Sequence, residues 1–156
     1  MSQRADLLTA RGYPLDRLPQ PAAAYRPVVL DGTTAYLSGA IPFDGGQNLV
    51  SRGSVPSEVS LEQAQRAAEL CAANLLRVLY AELGSLESIE QVLRLGGYVN
   101  SDPGFSEQHL VLNAASSLII GVLGAAGAHA RSAIGVTGLP LGASVELDMI
   151  VKVARA

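Results

Sequence analysis

Apolar positions along this chain recur with two different periods, and the changes of period divide it into segments. From Tyr25 to Pro42 the pattern is that of strands: Val28-Val29-Leu30, then Asp31-Gly32, then Thr33 to Leu37. Asp-Gly between two β-favouring runs predicts a tight hairpin, because a type I′ turn needs positive φ at both central positions. Residues 44–58, rich in Gly, Ser and Pro, read as an exposed loop with at most one short strand. At Ser60 the period lengthens. Ser60 and Gln63 have the spacing of a capping box, and Gly84 supplies a stop, so a helix is predicted from Leu61 to Leu83. Its apolar stripe is Ala64, Ala68, Cys71, Leu75 and Leu79, which leaves Glu62, Gln65, Arg66, Glu69 and Arg77 for the surface.

Leu86 to Glu90 reads as a helical turn and Gln91 to Asn100 as a strand, in which Gly96-Gly97 marks a bulge or a close approach. A second helix, from about Ser106 to Gly124, is apolar over more than one stripe, which predicts burial on two sides. Arg131–Val136 and Ser144–Val153 read as strands joined by the loop 137–143 into a last hairpin. Before all of this, Ala5 to Ala10 reads as a short helix ended by Gly12 and Pro14, followed by a connector through Pro19 and Pro21. Residues 1–20 are therefore expected to be an appendage and residues 21–156 one domain. The order ββ, α, β, α, ββ predicts an α+β fold with two helices packed on one face of a sheet.

Composition sharpens this picture. The 156 residues are 49% hydrophobic but only 16% charged and 4% aromatic, so the apolar fraction is aliphatic. The charge lies below the ~25% usual for soluble domains, which predicts apolar surface covered by another copy of the chain. A net charge of −3, with scattered arginines and the single lysine Lys152, argues against a nucleic-acid partner. The longest stretch without polar side chains, Leu118 to Ala128, falls short of the ~20 residues needed to cross a bilayer, so no membrane segment is expected. The first 20 residues lack the apolar core of a signal peptide, and the lone Cys71 cannot form an intrachain disulfide. A cytoplasmic location is the resulting expectation.

The candidate chemistry lies in the C-terminal strands. Val145, Leu147, Met149, Val151 and Val153 alternate with Glu146, Asp148, Ile150 and Lys152. In the preceding strand, Ser132, Ile134 and Val136 read as the apolar side and Arg131, Ala133 and Gly135 as the other. Paired as a hairpin, the two strands would project Arg131, Glu146 and Asp148 from one face. That grouping is compatible with a surface ion pair or with a site in which Arg131 receives a ligand carboxylate between small neighbours. Cys71, on the apolar stripe, reads as a buried structural thiol. His109 and His129 have no ligand partners at metal-binding spacing, so no metal site is expected.

Several blocks together resemble the reactive-intermediate deaminase family (RidA, also called YjgF) over roughly residues 21–155. They are Tyr25 ahead of the Ser38-Gly39 of AYLSGAIP, the helix with Ala72, Asn74 and Leu75, the strand GYVNS, Asn113, and above all ARSAIGVTGLP at 130–140 followed by VELDMIV at 145–151. The resemblance implies a chorismate-mutase-like α+β fold with a mixed sheet, assembled as a homotrimer with its sites in clefts between subunits. It implies hydrolysis of reactive enamines and imines such as 2-aminoacrylate to a 2-keto acid and ammonia, with no cofactor. Arg131 matches the arginine that clamps the substrate carboxylate, and Glu146 the glutamate that positions the hydrolytic water. Tyr25 and Asn113 match further substrate-binding residues, and Gly39 and Ala133 match positions whose backbone lines the pocket. Ala40 stands where the family has glutamine and Ala133 where cysteine is frequent, which marks a divergent subgroup. The alternative class is a non-catalytic trimer that binds small carboxylates or another protein.

Overall fold

The computed structural model describes residues 3–19, 23–46 and 48–154. Pro21, in the expected connector, lies outside them. The elements are α1 (Gln3–Ala10), β1 (Val28–Asp31), β2 (Thr34–Ala40), α2 (Leu61–Leu83), β3 (Ile89–Asn100), α3 (Gln108–Leu123), β4 (Ala130–Val136) and β5 (Val145–Val153). The sheet order is β1-β2-β5-β3-β4, with every neighbouring pair antiparallel except β3 and β4, which are parallel. This is the expected α+β fold, a mixed sheet with α2 and α3 on one face.

The local signals produce the local structures. Ser60 Oγ accepts from the Gln63 N–H at 3.1 Å while Gln63 Oε1 accepts from the Ser60 N–H at 2.9 Å, and α2 ends at Gly84 with φ 73°. The β1–β2 hairpin forms, but Asp31 pairs with Thr34, so the turn residues are Gly32 and Thr33. Only Gly32 of these has positive φ, which excludes the expected type I′ turn. The bulges of β3 fall before Gln91 and between Val92 and Arg94. Gly97 instead marks a close approach: a Cβ there would collide with Leu112 of α3.

Three expectations need correction. The last two strands do not form a hairpin, because β3 lies between β4 and β5. The β3–α3–β4 segment is a parallel crossover unit, and the chain then returns to the far side of β3 as β5. Burial of the helices is also exchanged. α3 buries a single stripe of Val111, Leu112, Ala115, Leu118, Ile119, Val122 and Leu123, whereas α2 is buried all round from Cys71 to Arg77. Arg77 is therefore 2% exposed and not on the surface. Its guanidinium donates to Pro14 O and Asn74 Oδ1, both at 2.8 Å, and Asn74 Nδ2 donates to Phe43 O at 2.9 Å. That chain ties the connector after α1, the middle of α2 and the loop after β2 together. Satisfied hydrogen bonds of this kind are what make a buried guanidinium tolerable.

The N-terminal helix is fastened by Arg4, whose Nη1 donates to Leu86 O at 2.9 Å and Ile89 O at 2.8 Å, while Ala5 and Leu8 are fully buried. At eight residues it is too short to persist alone, so this docking holds it. Residues Gln108–Gly127, α3 and the 3₁₀ turn after it, form a 20-residue helical stretch that is long and apolar enough to cross a membrane by length and composition. The sequence run Leu118–Ala128 underestimates it. Its buried stripe packs against α2 and the sheet, as in the core helix of a compact domain.

Candidate active site

The register of the sheet decides where each candidate side chain points. Leu95, Arg131 and Met149 lie in one row across β4, β3 and β5, and Tyr98, Ile134 and Glu146 in another. Leu95 and Met149 are buried against the helices, so Arg131 projects on the helix side. Glu146 projects from the opposite face, and β4 and β5 stand two strand spacings apart, about 10 Å. Arg131 and Glu146 are thus not brought together within one protomer. The expected shared face is overturned because Ala133 and Gly135, read as outward, face α3, while Ile134, read as inward, is 45% exposed. Asp148 joins neither residue as a ligand group: it takes Arg94 at 3.3 Å and the Tyr98 hydroxyl at 2.9 Å on the open face.

Glu146 borders a cavity of about 560 Å³, whose walls include Tyr25, Pro27, Gly39, Ala40, Ile41, Phe43, Leu75, Val78 and Leu141. These walls are mostly apolar. A Cβ on Gly39, which lies in the β2 bulge between Leu37 and Ala40, would collide with Glu146 Oε1. Glycine there gives the carboxylate its place. Leu141, at the rim, holds φ 57° and is 58% exposed, a left-handed conformation that costs a bulky residue about 1–2 kcal/mol. No side chain or backbone donor among the described residues reaches the Glu146 carboxylate. Burial, and secondarily the charge of Asp148, raise its pKa above the usual glutamate range. It is a half-buried carboxylate open to a cavity, the environment of a general base.

The second group surrounds Arg131. Its Nη1 donates to Asn113 Oδ1 at 3.1 Å and to Ser116 Oγ at 3.0 Å, and its Nη2 to His109 O at 3.4 Å. All three acceptors are uncharged and lie on α3. Among the described residues no carboxylate pairs with Arg131, so its positive charge is available to an anion. Ala133, one step along the same face, is half-buried and leaves the adjacent surface low.

The mixed sheet with its helices on one face matches what comparison with known proteins finds. The pattern of the endoribonuclease L-PSP family, the YjgF/RidA family, matches residues 16–153. The chain belongs to this family. Protein TCP17 of Trypanosoma cruzi is 37% identical over 142 residues, covering 90% of this chain and 88% of its own. The crystal structure of Atu1372 from Agrobacterium tumefaciens, a protein of unknown function, is 43% identical with a TM-score of 0.89, covering 97% of this chain and 92% of its own. RidA from the Antarctic bacterium Psychrobacter sp. shares the fold at 24% identity and a TM-score of 0.59, covering 88% of this chain and 95% of its own.

Within this member of the L-PSP family, the sequence-predicted residues fall into two sets. Tyr25, Gly39 and Glu146 line the cavity, and Asn113, Ala133 and Arg131 stand together at the β4 edge. Cys71 is fully buried with its thiol toward Val145 O, and burial pushes its pKa well up, as a structural thiol requires. Sequence reasoning missed Ser116 and His129, which join the Arg131 set through a 2.9 Å contact between Ser116 Oγ and His129 Nε2. Their spacing of 13 residues across a helix end carries no local periodic signal.

The raised pKa of Glu146 has a measurable effect on stability. A carboxyl that binds its proton more tightly in the native state stabilises the fold below its unfolded pKa and loses that contribution as pH rises through its folded pKa. Glu146→Gln removes the cost of the buried charge. The variant is expected to melt above wild type at neutral pH, and the gap to close in acid below the ordinary glutamate range, read from thermal melts across pH. A constant gap at all pH values would show that burial of the charge is not its cause.

Proposed function

We propose that this protein hydrolyses reactive enamines or imines of small 2-amino acids to the 2-keto acid and ammonia, at a site shared between two subunits of a homotrimer. The observation that carries the reading is the pair of incomplete half-sites: a guanidinium at the β4 edge with only uncharged acceptors and a carboxylate above an apolar cavity with no donor, both among the described residues and on opposite sides of one sheet. Arg131 of one subunit holds the substrate carboxylate, with Asn113 and the low surface at Ala133 beside it. Glu146 of the next subunit orients a water toward the imine carbon and takes its proton. An imine carbon is already electrophilic, so positioning supplies much of the rate. Tyr25 and Gly39 shape the wall at the reacting carbon, and the cavity beyond them receives the substrate side chain.

Assembly is supported by the open face of the sheet. Val29, Tyr36, Leu93 and Ile134 are each 42–51% exposed there, an apolar surface of the kind that another protein surface covers. RNA cleavage, which the name endoribonuclease L-PSP denotes, is not favoured for a chain of net charge −3 with one lysine. The test supplies the imine in situ from an amino-acid oxidase and follows release of the keto acid. Wild type accelerates its release, and Arg131→Ala does not. Equal rates with and without the protein, alongside tight binding of a keto acid, would replace this reading by that of a carboxylate-binding module.

A further inference from the structure

The surroundings of Arg131 contain a directed chain of hydrogen bonds. At one end Gly127 O can only accept, so His129 Nδ1, 2.6 Å away, carries a proton and donates. In the neutral imidazole with its proton on Nδ1, His129 Nε2 accepts, and Ser116 Oγ, at 2.9 Å, donates its hydroxyl proton to it. The lone pairs of Ser116 are thereby turned toward Arg131 Nη1, which can only donate and does so at 3.0 Å. Gly127 O and the Arg131 guanidinium fix the two outer polarities, and the neutral imidazole fixes the middle one.

The far end is anchored. Gly127 closes the 3₁₀ turn after α3, and a Cβ there would lie 2.7 Å from Ile119 O and 2.8 Å from Ile120 Cα, so the turn packs directly on the α3 backbone. The Gln91 side chain of β3 donates to Ala128 O on the next residue. A rigid turn therefore sets His129, His129 sets the Ser116 hydroxyl, and Ser116 sets one edge of the guanidinium. Asn113 and His109 O hold it from the same helix, one and two turns earlier.

From this we infer that His129 and Ser116 are positioning residues that hold Arg131 in the orientation that receives the substrate carboxylate. The inference rests on the role given to Arg131 above. It assigns to a histidine outside any metal site, and to a serine in the middle of α3, a function in substrate binding. Neither side chain touches substrate; both act by limiting the rotamers of a long, otherwise mobile cation, so that less freedom is lost when the carboxylate binds.

The experiment measures KM and kcat with an imine generated in situ, and the Kd for pyruvate by calorimetry, for Arg131→Ala, His129→Ala, His129→Gln and Ser116→Ala. His129→Ala and Ser116→Ala are expected to raise KM and the pyruvate Kd about tenfold, with kcat within about twofold of wild type. The amide oxygen of His129→Gln reaches the place of Nε2, so this variant recovers most of the affinity. Should His129→Ala fail to fold, Ser116→Ala breaks the same link from the helix and carries the same expectation. Unchanged KM and Kd in both variants, with pyruvate binding lost in Arg131→Ala, would overturn the positioning role and leave the proposed function standing. Wild-type binding and turnover in Arg131→Ala would overturn the proposed function itself. A drop in kcat with KM unchanged would also refute the inference, because it would place the pair at the chemical step.

Discussion

Arg131→Ala and Glu146→Gln, each inactive alone, are expected to recover activity when their subunits are mixed. The reason is geometric. Within one protomer the two side chains lie on opposite faces of the sheet, with β3 between their strands, so a site using both must draw them from different copies. In the proposed closed ring of three, each cleft would take Arg131 from one subunit and Glu146 from its neighbour. Random reassembly of equal amounts of the two variants gives an intact pair in about a quarter of the clefts. The control mixes wild type with the double variant. A shared site gives about a quarter of the clefts intact there too, whereas a site within one chain gives about half there and none in the first mixture. Denaturing the variants together, refolding and measuring keto-acid release separates the two cases.

Gly39→Val should abolish most turnover while leaving the fold intact. Gly39 is exposed in the β2 bulge and its φ is not positive, so valine meets no backbone penalty. Its Cβ instead enters the space of Glu146 Oε1 and drives the carboxylate off its position. A displacement of about 1 Å at a group that places a water costs on the order of a hundredfold in rate. The expected result is a kcat reduced by about that factor, an unchanged melting temperature and a KM changed much less, since the substitution leaves the proposed carboxylate clamp at Arg131 untouched. A kcat near wild type would remove Glu146 from the water-positioning role.

Both predictions depend on a topology that local sequence pattern did not reveal. The capping box at Ser60, the stop at Gly84 and the strict alternation of Val145 to Val153 are local features, and each appears as expected. The order of strands is not local. Residues 131–136 and 144–153 are near neighbours in sequence, and a hairpin is the shortest way to pair them. Their separation by β3 follows from α3 packing on the sheet and delivering β4 parallel to β3 at the edge. Ile134 carries the wrong signal for β4 in the same way: an apolar side chain in a strand reads as core, yet here it stands on the open face of the sheet, 45% exposed. The grouping of Arg131 with Glu146 was thus drawn from a wrong pairing. The family resemblance depends on neither hairpin nor face, and it implies the same two residues without needing them on one strand pair.

The burial of Cys71 leaves the chain with a reporter of its own opening. It is the only thiol, it is fully enclosed between α2 and β5, and its ionisation is suppressed there. A thiol reagent can reach it only when α2 lifts from the sheet. The labelling rate therefore follows the population of molecules in which that core has opened. The floor of the Glu146 cavity, formed in part by Leu75 of the same helix, can be watched for integrity without any added probe.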